Sequence, residues 1–172
     1  MAIDGPDGVL ITGVYGSGKS SVAAEIAYLL ERRREPYALL DLDYLGWGGD
    51  NFDDHAAGLP LMLRNLAAVV SNYRDAGVSV FVAAWFVRDH AALRGIREAV
   101  GVPLRVVRLT VPLPEIERRL AADLTTERRE DLQDAAASIA AGEGAGMEDV
   151  VIANDRPPGT VAHEVMAWLG WL

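Results

Sequence analysis

The chain has 172 residues, half of them apolar, a formal charge of −9 at pH 7 and no cysteine. That length suits one domain, 1–172, and no apolar run approaches the ~20 residues of a membrane span. The start, Met-Ala-Ile-Asp, lacks the basic region of a signal peptide, disulfides and thiolate metal sites are excluded, and the acidic balance counts against nucleic acid as a partner. A cytoplasmic protein is the expectation.

Residues 9–12, Val-Leu-Ile-Thr, read as a short buried strand. Directly behind them comes Gly13-Val14-Tyr15-Gly16-Ser17-Gly18-Lys19-Ser20, a complete G-x-x-x-x-G-K-[ST] phosphate-binding loop. Apolar residues at helical spacing then run from Ser21 to Leu30. Strand, glycine-rich loop and helix form the setting in which this loop cradles nucleotide phosphates. Lys19 is the only lysine of the chain, against fifteen arginines. A compact ammonium on a flexible stem reaches the β- and γ-phosphates, where a planar guanidinium does not fit. The Ser20 hydroxyl would then complete the coordination of Mg²⁺.

The first helix is expected over 19 to about 34, stopped by Glu35-Pro36, because the residue before proline avoids the α region. Residues 37–43 predict a second strand that turns polar at Asp41-Leu42-Asp43. Residues two apart on a strand share a side, so both carboxylates are expected to point into the cleft beside the phosphate loop. One would bind metal-bound water while the other takes a proton from a substrate hydroxyl; the alternative is a pair of solvated acids at a strand end. A Gly- and Asp-rich stretch, 44–58, carries Trp47, either an aromatic wall for an acceptor or packing beneath the loop, and the acids Asp50, Asp53 and Asp54.

A second helix is expected from Pro60, with proline in its first turn, to about residue 76, closed by Gly77. It carries Arg64. The third strand, 78–85, ends without the acid that many ATPases place there to hold Mg²⁺. Arg88 follows it, placed either to meet an anionic substrate group or to pair with Asp89 or Glu98. Asp89 caps a third helix ending near Gly101. A fourth strand is expected over 104–109 and a fourth helix over 114 to about 124. A fifth helix follows over 131–141, then a flexible glycine joint at 142–146. Residues 149–153 make a fifth strand and 160–169 the closing helix. Met147, Trp168 and Trp171 are expected to pack. His55, His90 and His163 show no metal-ligand spacing.

Strands alternating with helices and lacking hairpin signals predict an α/β fold: a five-stranded parallel sheet covered on both faces, with ligands at the carboxyl ends of the strands. The phosphate loop, the D-x-D of the second strand, the arginine-bearing fourth helix and the Asn-Asp-Arg-Pro segment at 154–157 resemble a small P-loop kinase. Shikimate kinase and gluconate kinase are the nearest types. Adenylylsulfate kinase and the nucleoside monophosphate kinases are a looser likeness.

The resemblance implies a three-layer P-loop NTPase fold with a short lid, near 121–131, and ATP with Mg²⁺ as phosphoryl donor. It implies that Gly13, Gly16, Ser17, Gly18, Lys19, Ser20 and Ser21 hold the phosphates, that Asp41 and Ser20 hold Mg²⁺, and that Arg156 and Pro157 line the adenine. Asp43 would bind or deprotonate the acceptor. In the family a helix arginine is followed at short spacing by another that clamps the transferring phosphoryl group. Arg119 fits the first position, but four residues on stands Asp123, which leaves Arg128 or Arg129 for the second contact. Their alternative is helix-face pairing with Glu115, Asp123 or Glu127.

The expected function is transfer of the γ-phosphoryl group of ATP to a hydroxyl of a small molecule. Asp50, Asp53 and Asp54 suit a neutral or cationic acceptor, with Trp47, Arg64 and Arg88 as further acceptor-site candidates. A nucleoside monophosphate kinase would need Arg64 and Arg88 to converge on an acceptor phosphate. A nucleotide-gated regulatory protein is the non-enzyme alternative.

Overall fold

The computed structural model describes residues 7–46, 55–121 and 126–172, with only the backbone of 55–57 and 126–129. In chain order the elements are β1 (Gly8–Thr12), α1 (Lys19–Arg32), β2 (Tyr37–Asp41), α2 (Asp43–Gly46), α3 (His55–Asp75), β3 (Val80–Ala84), α4 (His90–Val100), β4 (Leu104–Thr110), α5 (Leu113–Leu120), α6 (Thr126–Ala141), β5 (Val150–Ala153) and α7 (Pro158–Leu169). The five strands form one parallel sheet in the order β2-β3-β1-β4-β5. β1 is central, and its Gly8 pairs with Phe81 on one side and Leu104 on the other.

Alternate side chains of the sheet enter different cores, as the period of two requires. Val9 and Ile11 of β1, Val80 and Val82 of β3, and Val107 and Leu109 of β4 pack with Ile26 of α1 and Val165 of α7. Leu10, Phe81 and Val106 point the other way, onto Leu66 of α3 and Ile96 of α4. Both faces are therefore covered, which is why the central strands read as unbroken apolar runs. A third cluster, with Ile116 and Leu120 of α5 and Ala135 of α6, packs against Val14 and Tyr15 and so sits directly under the phosphate loop.

Several boundaries differ from expectation, each for a physical reason. α3 begins at His55, so Pro60 lies inside the helix and not at its start. Proline loses the bond to the carbonyl four residues back and crowds that carbonyl, costs that fall on the first turns, close to the helix N-terminus. β2 stops at Asp41, and Asp43 opens the short α2. α5 ends at Leu120, and residues 126–131 of the expected lid form the start of α6, while 122–125 lie outside the described residues. The segment 142–146 is a packed turn: Gly142, Gly144 and Gly146 all have positive φ, and a Cβ on Gly144 would stand 2.8 Å from the Val87 carbonyl oxygen. Trp171 and Met147 are buried as expected, whereas Trp168 is 40% exposed. Asp89 caps α4 by accepting from the Ala92 N–H at 2.8 Å. Among the described residues no helix is long and apolar enough to cross a membrane.

Candidate functional site

Six residues join the central strand β1 to α1, and glycine decides their path. Gly13, Gly16 and Gly18 have φ of 145°, 72° and 88°, values that residues with a Cβ avoid. A Cβ on Gly13 would lie 2.7 Å from both the Leu109 carbonyl oxygen and Ser17 Oγ. The Ser17 N–H donates to the Val14 carbonyl at 3.1 Å and closes the loop on itself. Ser17 is fully buried, and its Oγ has no hydrogen-bond partner among the described residues. A phosphate oxygen would satisfy that hydroxyl, so the loop fits the group its sequence implies. Ser20 and Ser21 are exposed in the first turn of α1.

Lys19 folds back over the loop. Its Nζ donates to the Val14 carbonyl at 3.2 Å and lies 5.3 Å from the centre of the Tyr15 ring, with 8% of the residue exposed. Burial pushes its pKa down, while the carboxylates of Asp43, Asp41 and Asp131 pull it back up. The Tyr15 hydroxyl is pushed up, first by burial and then by Asp43 and Asp131.

The two acids meet the loop by a route the strand reading does not contain. Asp41 Oδ2 accepts from Ser20 Oγ at 2.7 Å, and Asp41 Oδ1 accepts from the Asp43 N–H at 3.3 Å. That second bond is an aspartate turn, which ends β2 and tips Asp43 into α2. Asp43 therefore does not share a strand face with Asp41, yet its charge acts on Lys19 and Tyr15 more strongly than any other carboxylate's. The Ser20 hydroxyl and Asp41 carboxylate are hard oxygen donors that suit Mg²⁺. No group of three or more His, Cys, Asp or Glu that could hold a metal occurs among the described residues. Mg²⁺ characteristically takes one or two protein ligands and completes its shell with phosphate and water, so the pair fits it.

The arginines divide. Arg119 is fixed on three sides: Nε donates to Glu115 at 2.8 Å, Nη2 to the Asn154 carbonyl at 2.6 Å and Nη1 to the Gly16 carbonyl at 3.4 Å. The helix-face pairing and the contact with the phosphate loop thus coexist in one side chain. Arg118 and Arg119 together hold the Glu115 carboxyl at about 2, well below its usual range. Arg88 pairs with neither Asp89 nor Glu98; it binds Glu143 and Ser138 and lies over the Phe86 ring at 4.7 Å. Arg64 is exposed on α3. Arg156 reaches the Ala153 carbonyl and Glu164, and Pro157 caps α7. Trp47 lies outside the described residues, as do the side chains of Arg128 and Arg129.

Asn154, immediately after β5, belongs to the Asn-Asp-Arg-Pro segment, in which the sequence alone assigns it no role of its own. It is buried, and its Nδ2 donates to the Ser17 carbonyl at 2.6 Å. A polar residue ending an apolar strand beside the loop was the available signal.

A cavity of about 300 Å³ opens beside the loop, lined in part by Gly13, Val14, Phe86, Val111, Ser138 and Glu143. A second, of about 390 Å³, lies at the other end of the sheet near Asp7, Gly77 and Val102. Only the first adjoins the carboxyl ends of the strands, where ligands of open α/β sheets bind.

No family model matches the sequence, and no curated protein matches it. Solved structures do. A sugar kinase from Janibacter sp. HTCC2649 superposes with a TM-score of 0.69 at 20% identity, over 94% of this chain and 93% of that one. The APS kinase of Mycobacterium tuberculosis, solved with AMPPNP and APS, gives 0.68 at 24% identity over 96% and 98%. A gluconokinase from Sinorhizobium meliloti 1021 gives 0.62 at 21% identity over 95% and 91%. The likeness is one of fold: the chain has the three-layer α/β architecture found in these small P-loop kinases.

Proposed function

We propose that the chain is an ATP-dependent phosphotransferase that moves the γ-phosphoryl group to a hydroxyl of a small molecule. The observation that carries this reading is the convergence of a buried Lys19 ammonium with Asp41 and Asp43 at the mouth of the phosphate loop, with Ser20 bonded to Asp41. The superposed kinases support it at the level of fold.

In this reading the loop amides and Lys19 hold the β- and γ-phosphates, and the ammonium offsets the charge that develops during transfer. Ser20 and Asp41 would hold Mg²⁺, whose charge would screen the phosphate oxygens. The acceptor oxygen forms the new bond to the γ-phosphorus as the bond to the bridging oxygen of ADP breaks, and Asp43 takes the hydroxyl proton. Arg119, anchored at Gly16, steadies the loop, and Arg128 is the proposed second clamp on the transferring phosphoryl group. Arg156 and Pro157 line the base. Trp47, Arg64 and Arg88 are the candidate contacts for the acceptor, with Arg88 held by Glu143 and Ser138.

The test is ADP release by the purified chain with ATP and Mg²⁺ against pooled polyols, sugars, aminoglycosides and nucleotides. Acceptor-dependent release from one pool is the expected result. Tight ATP binding with no acceptor-dependent turnover in any pool would move the reading to a nucleotide-gated regulatory protein.

A further inference from the structure

Asn154 is bound from three directions. Its N–H donates to the Thr110 carbonyl of β4 at 2.9 Å, its carbonyl accepts from Arg119 of α5 at 2.6 Å, and its side-chain Nδ2 donates to the Ser17 carbonyl at 2.6 Å. The residue is 2% exposed. The amide rests on the loop backbone so closely that a Cβ on Gly18 would collide with Nδ2.

The other end of the same amide is informative. Asn154 Oδ1 is buried with no hydrogen-bond partner among the described residues. Turning the amide over would not help, because it would set Oδ1 against the Ser17 carbonyl oxygen, acceptor against acceptor. An apolar side chain of this size would avoid the orphaned oxygen altogether. Of the two ends of the amide, Nδ2 is the one that makes a hydrogen bond among the described residues.

What Nδ2 controls is a peptide plane. In a trans peptide the C=O and N–H point in opposite directions, so holding the Ser17 carbonyl towards Asn154 turns the Gly18 N–H away from it. Glycines on a loop rotate readily, and Gly18 sits at φ 88°. Rotation of the Ser17–Gly18 peptide would replace an N–H donor with a carbonyl dipole of the wrong sign for an anion. Arg119 restrains the preceding peptide through the Gly16 carbonyl, and Asn154 and Arg119 are themselves bonded.

We propose that Asn154 is a positioning residue whose side-chain amide locks the Ser17–Gly18 peptide, so that the Gly18 N–H faces the bound phosphates. The proposal rests on the reading of the loop as a nucleotide-phosphate site, but not on any acceptor. It also gives the segment after β5 a task separate from lining the base: it supports the loop from behind.

The experiment compares Asn154→Ala and Asn154→Asp with the wild-type chain in fluorescence titrations with N-methylanthraniloyl ADP and the corresponding adenosine. Removing one hydrogen bond that orients a donor should weaken the ADP analogue about tenfold in Asn154→Ala. In Asn154→Asp, which sets a carboxylate oxygen against the Ser17 carbonyl, the loss should be larger. Affinity for the adenosine analogue should stay within about twofold, since that ligand makes no phosphate contacts. ADP-analogue affinity within twofold of wild type in either folded variant would overturn the proposal. So would equal losses for both ligands, which would place Asn154 at the base. A second measurement needs no variant: the Gly18 amide proton should move strongly downfield when ADP binds, and an unmoved resonance would overturn the lock. Failure of the wild-type chain to bind ADP would instead remove the nucleotide reading, and the lock with it.

Discussion

Ser20, in the first turn of α1, donates a 2.7 Å hydrogen bond to Asp41 at the end of β2. The bond spans the central strand's loop and the strand at the edge of the sheet, and it brings two hard oxygen donors together. Asp41 in turn takes the Asp43 N–H, so one carboxylate both meets the loop and sets where its neighbour stands.

That arrangement predicts a division of labour. Asp41→Asn should raise the Mg²⁺ concentration for half-maximal rate about tenfold or more, the usual cost of disturbing a metal's supporting groups. Asp43→Asn should lower kcat by about 10² to 10⁴ with ATP affinity nearly intact, as expected of a lost general base. Rates measured against Mg²⁺ and ATP concentration separate the two. Identical effects on nucleotide binding would contradict the assignment.

Lys19→Arg and Lys19→Ala should each lower phosphoryl transfer by at least about a hundredfold, in line with loss of a preorganised charge contact. At 8% exposure the side chain has no room to become a planar fork without moving Tyr15 or the Val14 carbonyl. Circular dichroism should show both variants folded. Near wild-type turnover of the arginine variant would contradict the role given to the ammonium.

AMP, CMP, GMP, UMP and dTMP should be poor acceptors, and a neutral or cationic hydroxyl compound should be phosphorylated. Of the two arginines suited to an acceptor phosphate, Arg88 is already bound to Glu143 and Ser138. Arg64, exposed on α3, is left alone to meet an acceptor dianion, and one exposed guanidinium makes a weak dianion site. Robust ADP formation with any of these monophosphates would reverse the preference.

Glu115 supplies a pH test. Arg118 and Arg119 lower its pKa to about 2 from 4.5. A carboxyl depressed on folding stabilises above its unfolded pKa, and the contribution fades as pH falls from about 4.5 towards about 2. Glu115→Gln should therefore melt below wild type at pH 7, and the difference should shrink through that window. A constant difference would show that the carboxylate's charge is not what holds α5.

The sequence made the sheet and the loop readable because both are local patterns. The run from Val9 to Thr12 and the spacing of Gly13, Gly16, Gly18 and Lys19 carry their own geometry. What it concealed depends on residues far apart meeting in space. Arg88 finds Glu143 and not an adjacent acid, because the glycine turn at 142–146 packs against the Val87 carbonyl and delivers it. Asn154 reaches Ser17 across the sheet, which no periodicity reports. Alternation along a strand cannot reveal that the Asp41 side chain ends β2 by accepting a backbone N–H, which is why Asp43 stands on α2 and not on the strand.

The solitary lysine also makes the chain its own occupancy gauge. Apart from the α-amine, Lys19 is the single amine target for an acylating reagent, so lysine acylation reports on the phosphate loop alone, at the rate at which loop opening bares a side chain that is 8% exposed. A phosphate group seated in the loop would cover the amine. One mass increment at residue 19 would then count empty molecules, and its disappearance would count filled ones, with no engineered label.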